Sequence, residues 1–336
     1  MTRAEELEPA GVPDLLAVRD AFALPGRVLG ADVVAGSWSN LVLRMRTTAG
    51  DLALKVVRNP WGVPEWLDWL AEGWLLEHAA AAGGVRVPQP VAVPGDGGCV
   101  AWVPSADAAV RLPVRLHRWQ PGEAVAREPV GDALARWTGE TVARVHALAM
   151  KPLRPELYAD RAGLTTVAHW PALVSRAREA GAPWAGLLAS SEPLAARASA
   201  LLEPWDDADA VLVHGDLDQK NLLLGPDGPV LLDWDVVLPS LPAHDLAHAA
   251  LTMAAWRDPR AARAVLDGYA AVAGAAPRVR GSDLGPALAS RLGWIRFSVD
   301  RSIDAGPPYD LDLVGLLEDL DRRVGVAERV EDWLAG

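Results

Sequence analysis

The chain has a single cysteine, Cys99, among 336 residues, and its 32 Lys and Arg are outnumbered by 44 Asp and Glu. One thiol excludes an internal disulfide framework and a cysteine zinc cluster, and it makes the cytoplasm the expected location. No segment approaches the ~18 uninterrupted apolar residues of a membrane span, so no membrane is expected as a partner. The stretch 1–14 carries Glu5, Glu6, Glu8 and Asp14 in place of the basic-then-apolar pattern of a secretory signal. The net charge of −12 argues against nucleic acid as a partner, which needs a cationic surface to displace counterions. An acidic chain suits a cationic substrate, but it also suits plain solubility, and the charge alone does not choose.

What is present is ample apolar material, 51% of residues, in a length that suits two lobes sharing a cleft. Residues 28–34, 41–46 and 52–57 read as strands, the second of them alternating with period two as Leu41-Val42-Leu43-Arg44-Met45-Arg46. Residues 65–82 carry no proline or β-branched residue and repeat apolar positions at helical spacing, with Gly83-Gly84 as the stop. Further strands are expected at 91–93, 100–103 and 110–116. From Asp132 onwards helices dominate, at 132–149, 193–202, 243–256 and 259–271, with others towards the end and one β interruption at 211–235. A β-rich first third followed by a helical remainder is an α+β arrangement with segregated lobes.

The interruption carries the chemistry. Val211-Leu212-Val213-His214-Gly215-Asp216-Leu217-Asp218-Gln219-Lys220-Asn221 leads into Leu222-Leu223-Leu224. A five-residue turn, Gly225 to Pro229, separates these from Val230-Leu231-Leu232-Asp233-Trp234-Asp235. Two apolar tripeptides around such a turn predict a β-hairpin. Asn221 precedes its first strand and Asp233 ends its second, so both are expected at one end of it, with Asp216 in reach. Two carboxylates and an amide oxygen suit a hard cation such as magnesium. Asp and Asn also cap turns, but the joint pattern of His-Gly-Asp, Asn, hairpin and terminal Asp favours a site.

Those motifs, His214-Gly215-Asp216, Asn221 and Asp233-Trp234-Asp235, resemble the signature of the aminoglycoside phosphotransferase and choline kinase-like family, from about residue 28 to about 260. The resemblance implies a bilobal protein-kinase-like fold. A β-rich nucleotide-binding lobe would span 1–117, and a helical catalytic and substrate-binding lobe 118–336. It implies that Asp216 orients the acceptor hydroxyl and takes its proton, and that Asn221 and Asp233 hold Mg2+ bridging the oxygens of ATP or another nucleoside triphosphate. His214 would fix the catalytic loop. Asp235 is open between a second metal and a brace for the turn, and Lys220 between phosphate contact and an exposed loop.

Phosphoryl transfer also needs positive charge on the nucleotide. Lys55, in the otherwise apolar run Leu52 to Val57, is awkward unless its charge is used; the alternative is an edge-strand lysine. The resemblance favours the phosphate role, with Glu72 on the following helix as its partner, eleven residues before Gly83. Glu77 is expected to face solvent. Ser37, Ser39 and Asn40 in the turn from Gly36 would serve as the phosphate loop, although the glycine motif of protein kinases is lacking. The adenine would meet the connection from Leu116 to Trp119, His117 included, through backbone groups.

Eleven residues separate Asp233 from Asp245, which leaves little room for the peptide platform of a protein kinase and points to a small acceptor. Asp245 resembles a position that braces the catalytic loop. Asp300, Asp304, Asp310, Asp312, Glu318, Asp319 and Asp321 could line a pocket for an amine such as an aminoglycoside-like antibiotic, or form a solvated face. The many tryptophans could supply a cation–π site or fill the core. An ATP-dependent small-molecule kinase leads; a catalytically inactive nucleotide-binding regulator and a protein kinase are the alternatives.

Overall fold

The computed structural model describes residues 11–34, 40–59, 65–95, 97–158, 164–305 and 311–336. The expected phosphate-loop residues Ser37 and Ser39, and Asp310, lie outside them. Contacts divide the chain into two units, Met1–Val125 with Lys220–Val237, and Ala126–Gln219 with Leu238–Gly336.

The first unit opens with α1 (Leu15–Ala21), a helix the sequence does not announce. It forms because Asp14 accepts hydrogen bonds from the backbone of Leu16 (2.8 Å) and Ala17 (3.2 Å), which caps the first turn. There follow β1 (Val28–Val33), β2 (Leu41–Thr47), β3 (Leu52–Val56), α2 (Trp66–Ala82), β4 (Pro90–Val91), β5 (Ala101–Pro104), β6 (Arg111–Arg118) and β7 (Glu123–Ala124). The main sheet is antiparallel in the order β1-β2-β3-β6-β4, with β5 also on β6. Period two sorts its faces. Leu43, Met45, Leu52, Leu54, Val56, Val114 and Leu116 form a core with Val18 of α1 and Phe22 just after it. Lys55 and Arg115 are left on the opposite face, directly paired in register.

β9 (Leu222–Gly225) and β10 (Gly228–Leu231) form the expected hairpin, with β7 on its outer edge. Its turn is tighter than the sequence suggests, because Gly225 and Gly228 pair and leave only Pro226 and Asp227 between the strands. The hairpin joins the first unit through the Leu231 amide, which donates to the Arg86 carbonyl at 2.9 Å, just after α2.

The second unit contains α3 (Asp132–Ala147), α4 (Trp170–Glu179), α5 (Ala185–Ser190), α6 (Glu192–Ala200), α7 (Pro242–Met253), α8 (Pro259–Ala273), α9 (Gly285–Ala305), α10 (Leu313–Ala327) and α11 (Val330–Ala335). A two-stranded ladder, β8 (Val211–Val213) with β11 (Leu238–Ser240), lies among them. β11 and the short helices α4 and α5 are not foreseen from the sequence. Trp170, Leu188, Leu212, Leu246 and Leu292 are among the side chains sealed in this unit. Among the described residues no helix is long and apolar enough to cross a membrane. Cys99 is a buried free thiol.

One packing contact fixes α2. A Cβ at Gly73 would stand 2.2 Å from the Trp234 carbonyl oxygen, so the helix approaches residues 234–237 as only glycine permits. The Trp69 indole, one turn earlier, donates to the Val237 carbonyl on the same face. Gly73→Ala should therefore lower stability by about 1–3 kcal/mol through overpacking, even though alanine favours a helix by about 1 kcal/mol. Urea unfolding of the two proteins measures the difference.

Candidate active site

The site starts from two cations side by side. Lys55 on β3 and Arg115 on β6 are cross-strand neighbours, their side chains 14% and 1% exposed. Like charges so placed repel, and burial makes each more costly. Carboxylates resolve the conflict. Lys55 Nζ lies 2.7 Å from Asp233 Oδ1 and 2.9 Å from Asp235 Oδ2. The other oxygen of Asp235 accepts from Arg115. Arg115 also reaches Glu77 Oε2 at 3.4 Å, its guanidinium lies over the Trp74 ring, and His117 Nε2 stands 3.1 Å from Glu77 Oε1. Asn40 Nδ2 donates to Asp235 Oδ2 at 3.5 Å, and its oxygen accepts from the Arg58 amide at 3.0 Å.

The charges respond accordingly. Burial disfavours the Lys55 cation, but Asp233 and Asp235 more than reverse this, and its pKa stands above that of an ordinary lysine. Burial likewise pushes Asp235 up, while Lys55 and Arg115 pull it down further, to about 2. Both groups stay ionised at neutral pH.

One expectation changes here. Asp233 and Asp235 are carboxylates bonded to Lys55, and Glu77 is 1% exposed instead of facing solvent. The reason is the turn of α2. Trp69, Gly73 and Glu77 recur every four residues, and that face is the one held against residues 234–237 and Arg115. Glu72 is also buried on this helix, at 3%. Arg115 goes unnoticed in the sequence although Val114-Arg115-Leu116 repeats the signal of Lys55, a cation inside an apolar strand.

The hairpin backbone sets Asn221 and Asp233 at the same end. Leu222 pairs with Leu231, and the Leu232 amide donates to the Asn221 carbonyl at 2.8 Å, which sets Asp233 one residue beyond. Asp233 has left-handed backbone, φ 64 and ψ 66, a conformation costly outside glycine and concentrated at functional sites. Its side chain is 37% exposed. An Asn amide and an Asp carboxylate are hard oxygen donors, as magnesium prefers. Among the described residues no group of three or more His, Cys, Asp and Glu is placed to hold a metal. A cation at Asp233 and Asn221 therefore needs further oxygens from a ligand such as a phosphate.

In the second unit, His214 is buried and its Nδ1 accepts the Asp216 amide at 3.3 Å across Gly215, whose φ of +79 closes the turn. Asp216 is partly exposed. The Gln219 amide donates to the Thr252 carbonyl at 2.6 Å, anchoring the end of this loop to α7. Asp245 accepts from His146 of α3 at 2.9 Å, and that ring bonds the Tyr269 hydroxyl on its other nitrogen at 3.2 Å, so Asp245 braces helices.

Five of the seven carboxylates considered for an amine are engaged elsewhere. Asp300 and Asp304 pair with Arg176, Asp321 with Arg197, Asp319 with three arginines, and Asp312 caps α10. Among the described residues, the cations over tryptophan rings are the chain's own: Arg44 on Trp119, Arg115 on Trp74 and Arg323 on Trp256. Trp119 also lines an open pocket of about 600 Å³ with Arg44, Gly50, Asp51, Pro121 and Gly122.

A family model described as the phosphotransferase enzyme family matches residues 31–281. No curated protein matches the chain. Among solved structures, a spectinomycin phosphotransferase in complex with ADP and spectinomycin superposes with a TM-score of 0.61 at 11% identity, covering 90% of this chain and 93% of that one. An aminoglycoside phosphotransferase from Alicyclobacillus acidocaldarius gives 0.60 at 19% identity, covering 99% and 97%. An amicoumacin kinase in complex with AMP-PNP and Ca2+ gives 0.57 at 14%, covering 94% and 93%. At these identities the likeness shows a shared fold, that of small-molecule kinases.

Two predictions follow from the charge network. Arg115→Met leaves buried Glu77 with His117 alone and buried Asp235 with Lys55 alone, and should cost about 3–5 kcal/mol, read by chemical denaturation. Asp235, whose pKa falls from an ordinary 3.8 to about 2, contributes stability that is whole above the former value and lost as pH drops through the latter. Asp235→Asn should flatten that acid limb of the stability curve.

Proposed function

The chain belongs to the phosphotransferase enzyme family, and we propose that it transfers the γ-phosphoryl group of ATP to a hydroxyl of a small molecule. The observation that supports this most is Lys55 Nζ held at 2.7 Å from Asp233 and 2.9 Å from Asp235. A sheet lysine and a hairpin-end carboxylate are the parts that such a reaction needs on the nucleotide side. Residues 1–117 would supply most of the nucleotide contacts, with His117 and Trp119 near the base, Glu72 in support and Ser37, Ser39 and Asn40 along the phosphates. Residues 118–336 would supply catalysis and acceptor binding. A cytoplasmic location suits the single free thiol.

The roles follow from the chemistry of each group. Lys55, kept charged by its carboxylates, offers its ammonium to the phosphate oxygens. Asn221 and Asp233 present the oxygens that would hold Mg2+, which when bound offsets the charge gathering on the transferred group. Asp216 accepts a hydrogen bond from the acceptor hydroxyl and takes its proton as the new O–P bond forms. The bridging P–O bond to the β-phosphate breaks, and ADP leaves with that electron pair. His214 holds the Asp216 amide and so sets the direction of its carboxylate.

The acceptor is a small alcohol. An amine-bearing one is a second reading, favoured by the aminoglycoside phosphotransferase among the similar structures. Asp216→Asn should lower kcat by roughly 10²–10⁴ while leaving nucleotide affinity intact. ATP consumption across a panel of amines, sugars and antibiotics, with mass spectrometry of the product, measures it. Nucleotide binding without phosphate transfer to any of them would instead mark a regulator.

A further inference from the structure

The second unit contains a cluster of cations that folding alone does not call for. Asp319 on α10 accepts from Arg323 at 2.7 Å and from Arg322, and it pairs with Arg291 of α9 at 2.8 Å. One arginine is enough to neutralise a carboxylate and tie two helices. Three exceed Asp319 by two positive charges, with Asp218 the other carboxylate whose charge reaches Arg323, in a chain whose net charge is −12. The side chains are 20% exposed at Arg291, 33% at Arg322 and 22% at Arg323, so each is partly reachable from solvent. Among the described residues, the Nε atoms of Arg291 and Arg322 are buried without a hydrogen-bond partner. Burial pushes the pKa values of Arg291 and Arg323 down, and the arginines add mutual repulsion that Asp319 only partly relieves.

The position gives the cluster a purpose. Arg323 lies over the Trp256 ring, 5.1 Å from its centroid. Trp256 follows α7, whose Thr252 carbonyl receives Gln219, three residues beyond Asp216. The charge of Asp218 is felt at Arg323, and Arg323, Asp216 and Asp218 all act on His248 of α7. Burial first, then Arg323, holds that histidine below its ordinary pKa, so it adds no neutralising or competing charge at neutral pH.

We propose that Arg291, Arg322 and Arg323 form an anion-binding subsite beside Asp216, and that the acceptor is an alcohol bearing a carboxylate or phosphate group. Planar guanidinium groups recognise both kinds of oxyanion through paired N–H donors. An anion seated there relieves the arginine repulsion and leaves a hydroxyl at the other end of the molecule for Asp216. The role of Asp216 in this statement rests on the phosphotransferase reading; the anion site itself does not.

The test uses the full-length protein and matched pairs: glycolate with ethanolamine, 3-hydroxypropionate with 3-aminopropanol, 4-hydroxybutyrate with 4-aminobutanol, and glycerol 3-phosphate with glycerol. ADP release is measured for each. The anionic member should be favoured in kcat/KM by about tenfold or more, the size expected of a charged hydrogen bond. The first three pairs report a carboxylate and the last a phosphate. Arg291→Gln and Arg323→Gln should each raise KM for the preferred anion by about tenfold or more, with KM for MgATP unaltered and partial rescue by Arg323→Lys. Amine or neutral members turned over faster than their anionic partners would overturn the inference, as would unchanged anion KM in variants that still melt cooperatively. Calorimetry separates the two layers. MgAMP-PNP binding with no panel anion bound or consumed removes the anion site and leaves the kinase reading. Anion binding, lost in Arg323→Gln, without nucleotide binding keeps the site and removes the kinase reading.

Discussion

Two buried cations next to each other on one sheet face dictate much of the first unit. Lys55 and Arg115 sit in paired registers of β3 and β6, so their separation is set by strand spacing and cannot relax. Carboxylates have to be brought to them. Asp233 and Asp235 come from the far end of the hairpin, and Glu77 from α2. Each arrives because of a separate local feature: the left-handed turn at Asp233, the close approach at Gly73, and the four-residue spacing from Trp69 to Glu77. An apolar replacement of the whole network could be as stable, as buried ion pairs are seldom the most stabilising choice. Its presence points to use.

That use is consistent with the chemistry of phosphate binding. Lys55 is held charged by two carboxylates, while Asp233 remains more than a third exposed and open to another partner. Arg115 is different, since it is sealed at 1% exposure and engaged by Glu77 and Asp235. The pair divides the labour. Lys55 is the cation proposed to meet a ligand, and Arg115 keeps Asp235 ionised and in position.

Much of this was legible in the sequence, for physical reasons. Alternation along β2 and β3 predicts which side chains reach the core, and it isolates Lys55 on the other face. The turn chemistry around Pro226-Asp227 predicts the hairpin that brings Asn221 and Asp233 to one end. What was hidden depends on packing between segments distant in the chain. Helical spacing puts Glu72 and Glu77 on different faces of α2, but only the docking of Gly73 on Trp234 decides which face meets the sheet. Arg115 carried the same signal as Lys55 and could have been found by it. The ion pairs of Asp300 and Asp304 with Arg176, of Asp321 with Arg197 and of Asp319 with Arg291 were out of reach, because these partners lie 28 or more positions away in the chain.

The most direct measurement is calorimetric titration of ATP with and without Mg2+ into the wild-type chain, Lys55→Met and Asp233→Asn. Binding should be present in the wild type and strengthened by Mg2+. It should be weakened under both conditions by Lys55→Met, and stripped of its Mg2+ dependence by Asp233→Asn. A wild-type chain that takes up no ATP, or variants that bind it as well as the wild type and with the same Mg2+ dependence, would contradict the assignment of this charge network to phosphoryl transfer.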